Sequence, residues 1–171
     1  MVDVDEDRIA RVYTVPFYLA FRELSDPASG KVAELVATAR TASVDEILWM
    51  LRTESWRQHR VGGWFALVRP EPAVVAALPA SIGIGNPFHA GPVLAVSAAL
   101  LCGTGAIPAL REVTGRVAEY GGDPGFYGAL REWLEGAGKP ARKDGGWASV
   151  GAYIELAERI RAEASRDSAE V

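Results

Sequence analysis

The sequence is poor in the residues that build disulfides and metal centres. Its 171 residues include one cysteine, Cys102, and two histidines, His59 and His89. One cysteine excludes an internal disulfide, and this set is too small for a cysteine and histidine zinc cage. We therefore predict a reduced, cytoplasmic protein with no metal ion and no cofactor. Cys102 has no charged sequence neighbour that would activate it, so we expect an inert buried thiol.

Positive charge is also scarce. The chain has 18 lysines and arginines against 22 aspartates and glutamates, which gives a formal net charge of −4 at pH 7. This balance offers little attraction to nucleic acid or to an anionic membrane, and it would suit a basic partner protein. The first ten residues, MVDVDEDRIA, lack the basic-then-apolar order of a targeting segment. We expect residues 1–7 to form an acidic tail.

Strand-like alternation is nearly absent, and apolar residues instead recur with the period of an α-helix from end to end. Ser43 and Glu46 have the spacing of a capping box at a helix start, and we expect Ser149 to cap the last helix, with Tyr153 among its inward residues. Pro16 interrupts the first apolar stripe, which includes Val12, and we expect a helix to begin near Val15 with this proline in its first turn. The pattern predicts an all-α fold of eight or nine helices without a sheet, arranged as stacked antiparallel hairpins.

We expect residues 1–171 to form a single domain, since this length suits one hydrophobic core. Residues 136–146 form a polar, basic stretch without periodicity, which predicts a mobile loop. Residues 163–171 combine alternating charges with small side chains, which predicts a frayed end.

Charged residues are missing altogether from residues 72–110. In a chain that is 23% charged, 39 consecutive uncharged residues do not form an ordinary solvated surface. Three interpretations remain open at this stage. The segment forms central helices covered on both sides, it lines an apolar pocket or partner surface, or it inserts into a membrane. Prolines divide it into runs shorter than a membrane span requires, so we expect no membrane insertion.

Asn86 and His89 lie within this uncharged segment, in a stretch rich in proline and glycine that also contains Phe88. One interpretation is that both polar side chains bond to local backbone and cap the following helix. The other makes His89 a general acid or base, because imidazole titrates near neutral pH. His89 is therefore the candidate catalytic residue.

The stretch WRQHRVGGWFALV, residues 56–68, concentrates further candidates on one predicted helix. Trp56 and Arg60 are four residues apart, which would allow a cation–π contact along one edge. We expect Arg57 to continue the apolar face that includes Trp64, and His59 to point away from that face into solvent. The arginines either bond to backbone carbonyls or form a clamp for an anion, since no acidic residue lies between residues 54 and 71. Gly62 and Gly63 suggest close helix contact or an approaching substrate.

Four other residues complete the set of candidates. Tyr13 and Tyr18 could place hydroxyl groups at the edge of a pocket, although core packing explains them equally well. Asp123 and Tyr127 could line a site, although Asp123 is adequately explained as a helix cap. The predicted binding residues are therefore Tyr13, Tyr18, Trp56, Arg57, Arg60, Trp64, Asn86, Phe88, Asp123 and Tyr127.

The order of the helical segments resembles known helical families. SVDEILWMLRTESWRQHRVGGWFALV is similar to a HEAT-like hairpin, in which the second helix opens with Trp-Arg. Together with YTVPFYLAF, FHAGPVLAVSAALL and DPGFYGALREWL, it also resembles an uncharacterised bacterial family of all-helical domains. The resemblance spans roughly residues 13 to 135 and implies a degenerate helical repeat without a defined activity.

Two functions follow from these patterns. The first is a non-catalytic helical protein of adaptor or immunity type that binds a partner protein, which the poverty of catalytic motifs favours. The second is a small cofactor-independent enzyme or binding protein for an apolar metabolite. Its pocket would lie between the Trp56–Trp64 helix and the Asn86–Pro92 loop, with His89 as acid or base and Arg57 or Arg60 as the anion clamp. The oligomeric state does not follow from the sequence.

Overall fold

The computed structural model describes residues 4–84, 87–136, 138–139 and 149–166, and within them it contains helices and no strand. The all-α prediction is confirmed. The α-helices are α1 (Glu6–Arg8), α2 (Phe21–Ser25), α3 (Lys31–Thr41), α4 (Val44–Arg52), α5 (Trp56–Val68), α6 (Pro72–Ile82), α7 (Gly91–Cys102), α8 (Ile107–Glu119), α9 (Gly125–Leu134) and α10 (Val150–Arg166). Short 3₁₀ turns cover Pro27–Ser29 and Gly103–Ala106.

The N-terminal region is helical before Pro16, which contradicts the expectation that a helix begins near Val15. A π-helix, Ile9–Thr14, directly follows α1, and the Val15 amide donates to the Ala10 carbonyl at 2.9 Å. Proline cannot continue a regular α-helical ladder, and the wider turn accommodates it. The wider turn also changes the phase of the stripe, because Val12, expected on the buried face, is 47% exposed.

The termini of the described helices differ from the expected tails. Glu6 and Asp7 belong to α1, which Asp5 caps by accepting the Arg8 amide at 2.9 Å. The last helix extends to Arg166, past the residue at which fraying was expected to begin. Of the predicted mobile loop, residues 136 and 138–139 are described and the rest lies outside the described residues.

Helix α5 lies at the centre of the fold and contacts α3, α4, α6, α7, α10 and the π-helix. Its two glycines are the points of closest approach. A Cβ at Gly62 would lie 2.9 Å from the Met50 Cβ on α4, and one at Gly63 would lie 2.8 Å from a Val93 methyl on α7. The mid-helix glycines therefore serve helix packing, which was one of the two interpretations of the sequence.

The uncharged segment includes a central helix, α7, whereas its other complete helix, α6, is partly exposed. Residues 93–99 of α7 are all buried, and α7 packs against α5, α6, α9 and α10. The run Gly91–Glu119 is long and apolar enough to cross a membrane, but half of its apolar window is buried inside the protein. Gly103 has φ of 56°, outside the helical range, and it separates α7 from α8. The apolar character of α7 is explained by burial on all sides.

Candidate functional site

Four of the predicted residues lie together at the N-terminal end of α5 and form a surface that we call the aromatic cluster: Tyr18, Trp56, Arg57 and His89. The rings of Tyr18 and Trp56 meet edge to face at 5.7 Å between centroids, and the His89 ring lies 4.9 Å from Trp56. The Arg57 guanidinium carbon is 4.8 Å from the Trp56 ring centroid and 5.4 Å from that of Tyr18. The cluster joins three segments that are distant in sequence.

The aromatic cluster is accompanied by exposed apolar side chains. Val15 is 63% exposed and Leu19 is 61% exposed, and both lie in the segment that carries Tyr18. Phe88, immediately before His89, is also exposed. Val12, which precedes Tyr18 in sequence, is exposed as well. Among the described residues, four of the five exposed large hydrophobic side chains therefore lie in the two segments that supply Tyr18 and His89. Such a concentration is unusual for an ordinary solvated surface.

The segments that supply Tyr18, Trp56 and Arg57 carry arginines and long stretches without acidic residues, in contrast to the whole chain. No acidic residue occurs between Arg8 and Glu23 or between Glu54 and Glu71. Arg57 is exposed and, within the described part of the chain, forms no ion pair. Arg69, the other end of the acid-free stretch on α5, is neutralised by Glu71 at 2.5 Å.

Arg60 lies elsewhere, inside the fold. It is 9% exposed, and its Nη2 is 3.5 Å from the Tyr153 hydroxyl of α10. Its guanidinium carbon is 6.0 Å from the Phe21 ring centroid, and no carboxylate among the described residues pairs with it. The prediction of a contact between Arg60 and Trp56 is therefore wrong, because the Arg57 guanidinium packs on the Trp56 ring. Arg60, and not Arg57, continues the buried face of α5.

His59 is fully buried, so the expectation of solvent exposure is wrong. Neither ring nitrogen makes a hydrogen bond of standard geometry with a described residue. Burial lowers the pKa of His59 to about 4, although the nearby Leu51 backbone acts in the opposite direction. The neutral imidazole is enclosed because α5 has packed helices on almost every side, so it has no solvent-facing edge at this position.

Four other sequence candidates have structural contacts. The Tyr13 hydroxyl is 3.3 Å from the Thr41 carbonyl, and Tyr127 donates to the Pro87 carbonyl at 2.5 Å. Asp123 accepts the Gly125 amide at 2.8 Å, which caps the start of α9 as its alternative interpretation proposed. Trp64 is fully buried against Tyr153. None of these four side chains joins the aromatic cluster through a described contact.

Cys102 lies beside a backbone carbonyl of α6 that has no amide donor within its own helix. Pro79 lies inside α6 and has no amide hydrogen to donate to the Val75 carbonyl four residues earlier. The Cys102 sulfur is 3.5 Å from that same carbonyl oxygen. Burial raises the pKa of the Cys102 thiol, as expected for an unreactive cysteine.

His89, the candidate catalytic residue, is exposed, and its described contact is the Trp56 ring. Asn86 lies outside the described residues. The pocket expected between α5 and the Asn86–Pro92 loop stays a prediction, because part of that loop lies outside the described residues. Farther along α5, Gly63 packs against Val93 of α7. A cavity of about 280 Å³ lies in another part of the molecule, between the start of α3 and the end of α10, and no predicted site residue lines it.

Groups of three histidine, cysteine, aspartate or glutamate side chains that could hold a metal ion do not occur among the described residues. No family model matches the chain, and no curated protein or solved structure matches it significantly.

Sequence reasoning missed Tyr153 as a functional candidate. It was expected only as an inward residue of the last helix, yet Phe21, Trp64 and Phe126 all contact its ring and Arg60 contacts its hydroxyl. A tyrosine in an apolar stripe was the available signal, because a buried hydroxyl group requires a polar partner. The partner is Arg60, which could not be identified from local sequence because it is 93 residues away from Tyr153 and meets it only through the packing of α5 against α10.

Proposed function

We propose that the protein is a non-catalytic binding module whose aromatic cluster docks an acidic, apolar segment of a partner protein. The observation that carries this proposal is the unpaired Arg57 guanidinium lying over Trp56 and Tyr18 beside exposed apolar side chains. Trp, Tyr and Arg are the residues that most often contribute binding energy at protein interfaces. The HEAT-like resemblance and the expected cytoplasmic location fit the same proposal.

Local charge determines the class of partner. The net charge alone suited a basic partner, but the aromatic cluster lies in segments that carry arginines and no acidic residue between Arg8 and Glu23. Arg11 and Arg22 are exposed in this segment and form no ion pair within the described part of the chain. A segment with glutamate or aspartate beside leucine-like side chains matches both the charge and the apolar surface.

For the enzyme alternative, the described polar neighbour in the aromatic cluster is Arg57, which packs on the same Trp56 ring as His89. General acid or base catalysis by His89 requires a partner that orients the ring or holds the substrate. The described contact of His89 is an indole ring, which supports stacking rather than proton transfer. The binding function is therefore the better supported of the two.

A pair of synthetic helical peptides tests the proposal. In one, leucine forms the apolar face and glutamate the polar face; in the other, lysine replaces glutamate. We expect the glutamate peptide to bind more tightly than the lysine peptide and its affinity to fall with added salt. Fluorescence anisotropy of the labelled peptides measures both affinities.

Variants localise the binding surface. Trp56→Ala removes the central ring of the aromatic cluster, so we expect the affinity for the glutamate peptide to fall roughly tenfold or more. Arg161→Glu changes an exposed arginine of α10 and should leave the affinity within about twofold, apart from a long-range charge effect. Equal binding of both peptides, or unchanged affinity in Trp56→Ala, would refute the proposal.

A further inference from the structure

Between α5 and α10, the Arg60 guanidinium donates one hydrogen bond to the Tyr153 hydroxyl, and the Trp64 indole N–H has no acceptor among the described residues. Arg60 and Trp64 are one turn apart on the same face of α5, and both pack on Tyr153. The Trp64 ring is nearly parallel to the Tyr153 ring, at 6.2 Å between centroids. Guanidinium and indole groups donate hydrogen bonds and accept none. This arrangement can be satisfied by a group that only accepts.

Within the described part of the chain, the positive charge of Arg60 has no partner of opposite charge. Burial raises the pKa of Tyr153, with Arg60 acting in the opposite direction, so the phenol is neutral at physiological pH and supplies no negative charge. No carboxylate of the described residues lies within ion-pair distance of Arg60. A buried cation without a counter-charge destabilises a fold unless an anion binds to it.

The Trp64 indole provides an independent observation. Its side chain is fully buried, and its Nε1 has no hydrogen-bonded partner. Buried indole N–H groups almost always have an acceptor, so an orphan next to an uncompensated guanidinium indicates that the acceptor is missing from the described chain. Arg60 is 9% exposed, so a small part of its side chain reaches the protein surface.

The surroundings define the rest of the ligand. The Tyr153 ring lies 4.4 Å from the Phe21 ring and 5.5 Å from the Phe126 ring, between centroids. These rings and Trp64 present flat apolar surfaces to anything bound beside the Tyr153 hydroxyl. A carboxylate accepts two hydrogen bonds from a guanidinium fork, and a ring attached to it would contact the aromatic side chains.

We propose that Arg60, Tyr153 and Trp64 form a binding site for the carboxylate of a small aromatic acid. Arg60 supplies the charge, while Tyr153 and Trp64 supply the additional donors and the ring surface. This site is separate from the aromatic cluster, so it holds or fails independently of the proposed docking of a partner protein. The proposal requires only the residues that pack between α5 and α10.

Phenylacetate is the test ligand, because it combines a carboxylate with one ring. We expect saturable binding, seen as a change in tryptophan fluorescence and a rise in Tm. Phenylacetamide keeps the shape without the charge and should bind at least roughly tenfold more weakly. Acetate keeps the charge without the ring and should also bind more weakly. Equal binding of phenylacetate and phenylacetamide would overturn the proposal.

Matched variants test the assignment of residues. Arg60→Met keeps the length of the side chain and should abolish phenylacetate binding, whereas Arg161→Met changes an exposed arginine of α10 and should leave it unchanged. Tyr153→Phe keeps the ring and should weaken binding severalfold. Binding that survives in Arg60→Met, or is lost equally in Arg161→Met, would overturn the assignment.

One variant separates an external ligand from an internal counter-charge. Asp144 lies outside the described residues and precedes α10 in sequence. If phenylacetate binds to the wild type and equally to Asp144→Asn, the carboxylate comes from the ligand, as proposed. If the wild type fails to bind and Asp144→Asn binds, the protein supplies its own carboxylate and the proposed ligand site does not exist.

Discussion

Arg57 and Arg60 are the same residue type, three positions apart on one helix, and their surroundings are opposite. Arg57 is exposed over the rings of Trp56 and Tyr18, whereas Arg60 is enclosed beside Tyr153 and Phe21. Arg60 lies on the face of α5 that packs against α10, whereas Arg57 lies in the first turn of α5 beside Tyr18. An exposed guanidinium on aromatic rings is suited to binding a partner, while an enclosed one requires a specific anion.

The largest expected effect concerns the buried side of α5. Gly62→Ala places a Cβ 2.9 Å from the Met50 Cβ and 3.3 Å from its backbone carbonyl carbon, so α4 and α5 must separate. We expect the free energy of unfolding to fall by about 1–3 kcal/mol, despite the higher helix propensity of alanine. Urea denaturation followed by circular dichroism measures this change.

Gly115→Ala is the matched control for that prediction. A Cβ at Gly115 of α8 has no neighbouring atom within 4 Å. Alanine there should raise the free energy of unfolding by up to about 1 kcal/mol, because only the helix propensity changes. Similar effects of both substitutions would show that α5 is not closely packed at Gly62.

The second prediction concerns the pH dependence caused by His59. Its folded-state pKa of about 4 is below the unfolded value of 6.5, so the unfolded chain binds the proton more readily. The stabilisation by neutral His59 is complete above pH 6.5 and is lost as the pH falls towards 4. Between pH 7.5 and pH 5 we expect a loss of about 2 kcal/mol from this residue.

His59→Leu should remove that contribution. The variant keeps an apolar side chain of similar size, so its free energy of unfolding should fall less between pH 7.5 and pH 5 than that of the wild type. Chemical denaturation at both pH values gives the comparison. An unchanged pH dependence would mean that His59 is accessible to protons in the folded state, and that α5 is less enclosed than described.

The third prediction compares the two arginines directly. Arg60→Met replaces an uncompensated buried charge with an apolar side chain, so without an added ligand we expect the free energy of unfolding to rise by about 1 kcal/mol. Arg57→Met alters an exposed side chain and should change it by less than about 1 kcal/mol, through the lost ring contacts. A large loss of stability in Arg60→Met would show that its charge is already compensated in the folded chain.

Helical periodicity predicted much of the fold because most helices bury one continuous stripe. The Ser43 and Glu46 capping box, the Ser149 cap and the central position of α7 followed from local sequence. The predicted burial of Val12 is wrong, because the π-helix Ile9–Thr14 shifts the apolar stripe out of the α-helical phase. Local patterns cannot specify a turn whose geometry depends on how the chain accommodates Pro16.

The candidate site was less predictable than the fold. The glycines on α5 indicated close packing, but not which helices would approach. His59 was assigned to solvent because one apolar face was assumed, whereas α5 is enclosed by helices on several sides. The exchange of roles between Arg57 and Arg60 depends on Tyr153, which is 93 residues away from Arg60 in sequence.

The most direct test is the affinity of the glutamate-and-leucine peptide for Arg57→Glu, measured together with the free energy of unfolding. Arg57 is exposed, so reversing its charge should weaken peptide binding roughly tenfold or more while stability changes by less than about 1 kcal/mol. Arg57→Lys should retain part of the affinity, because it keeps the positive charge. An Arg57→Glu variant that binds the peptide as tightly as the wild type would contradict the account.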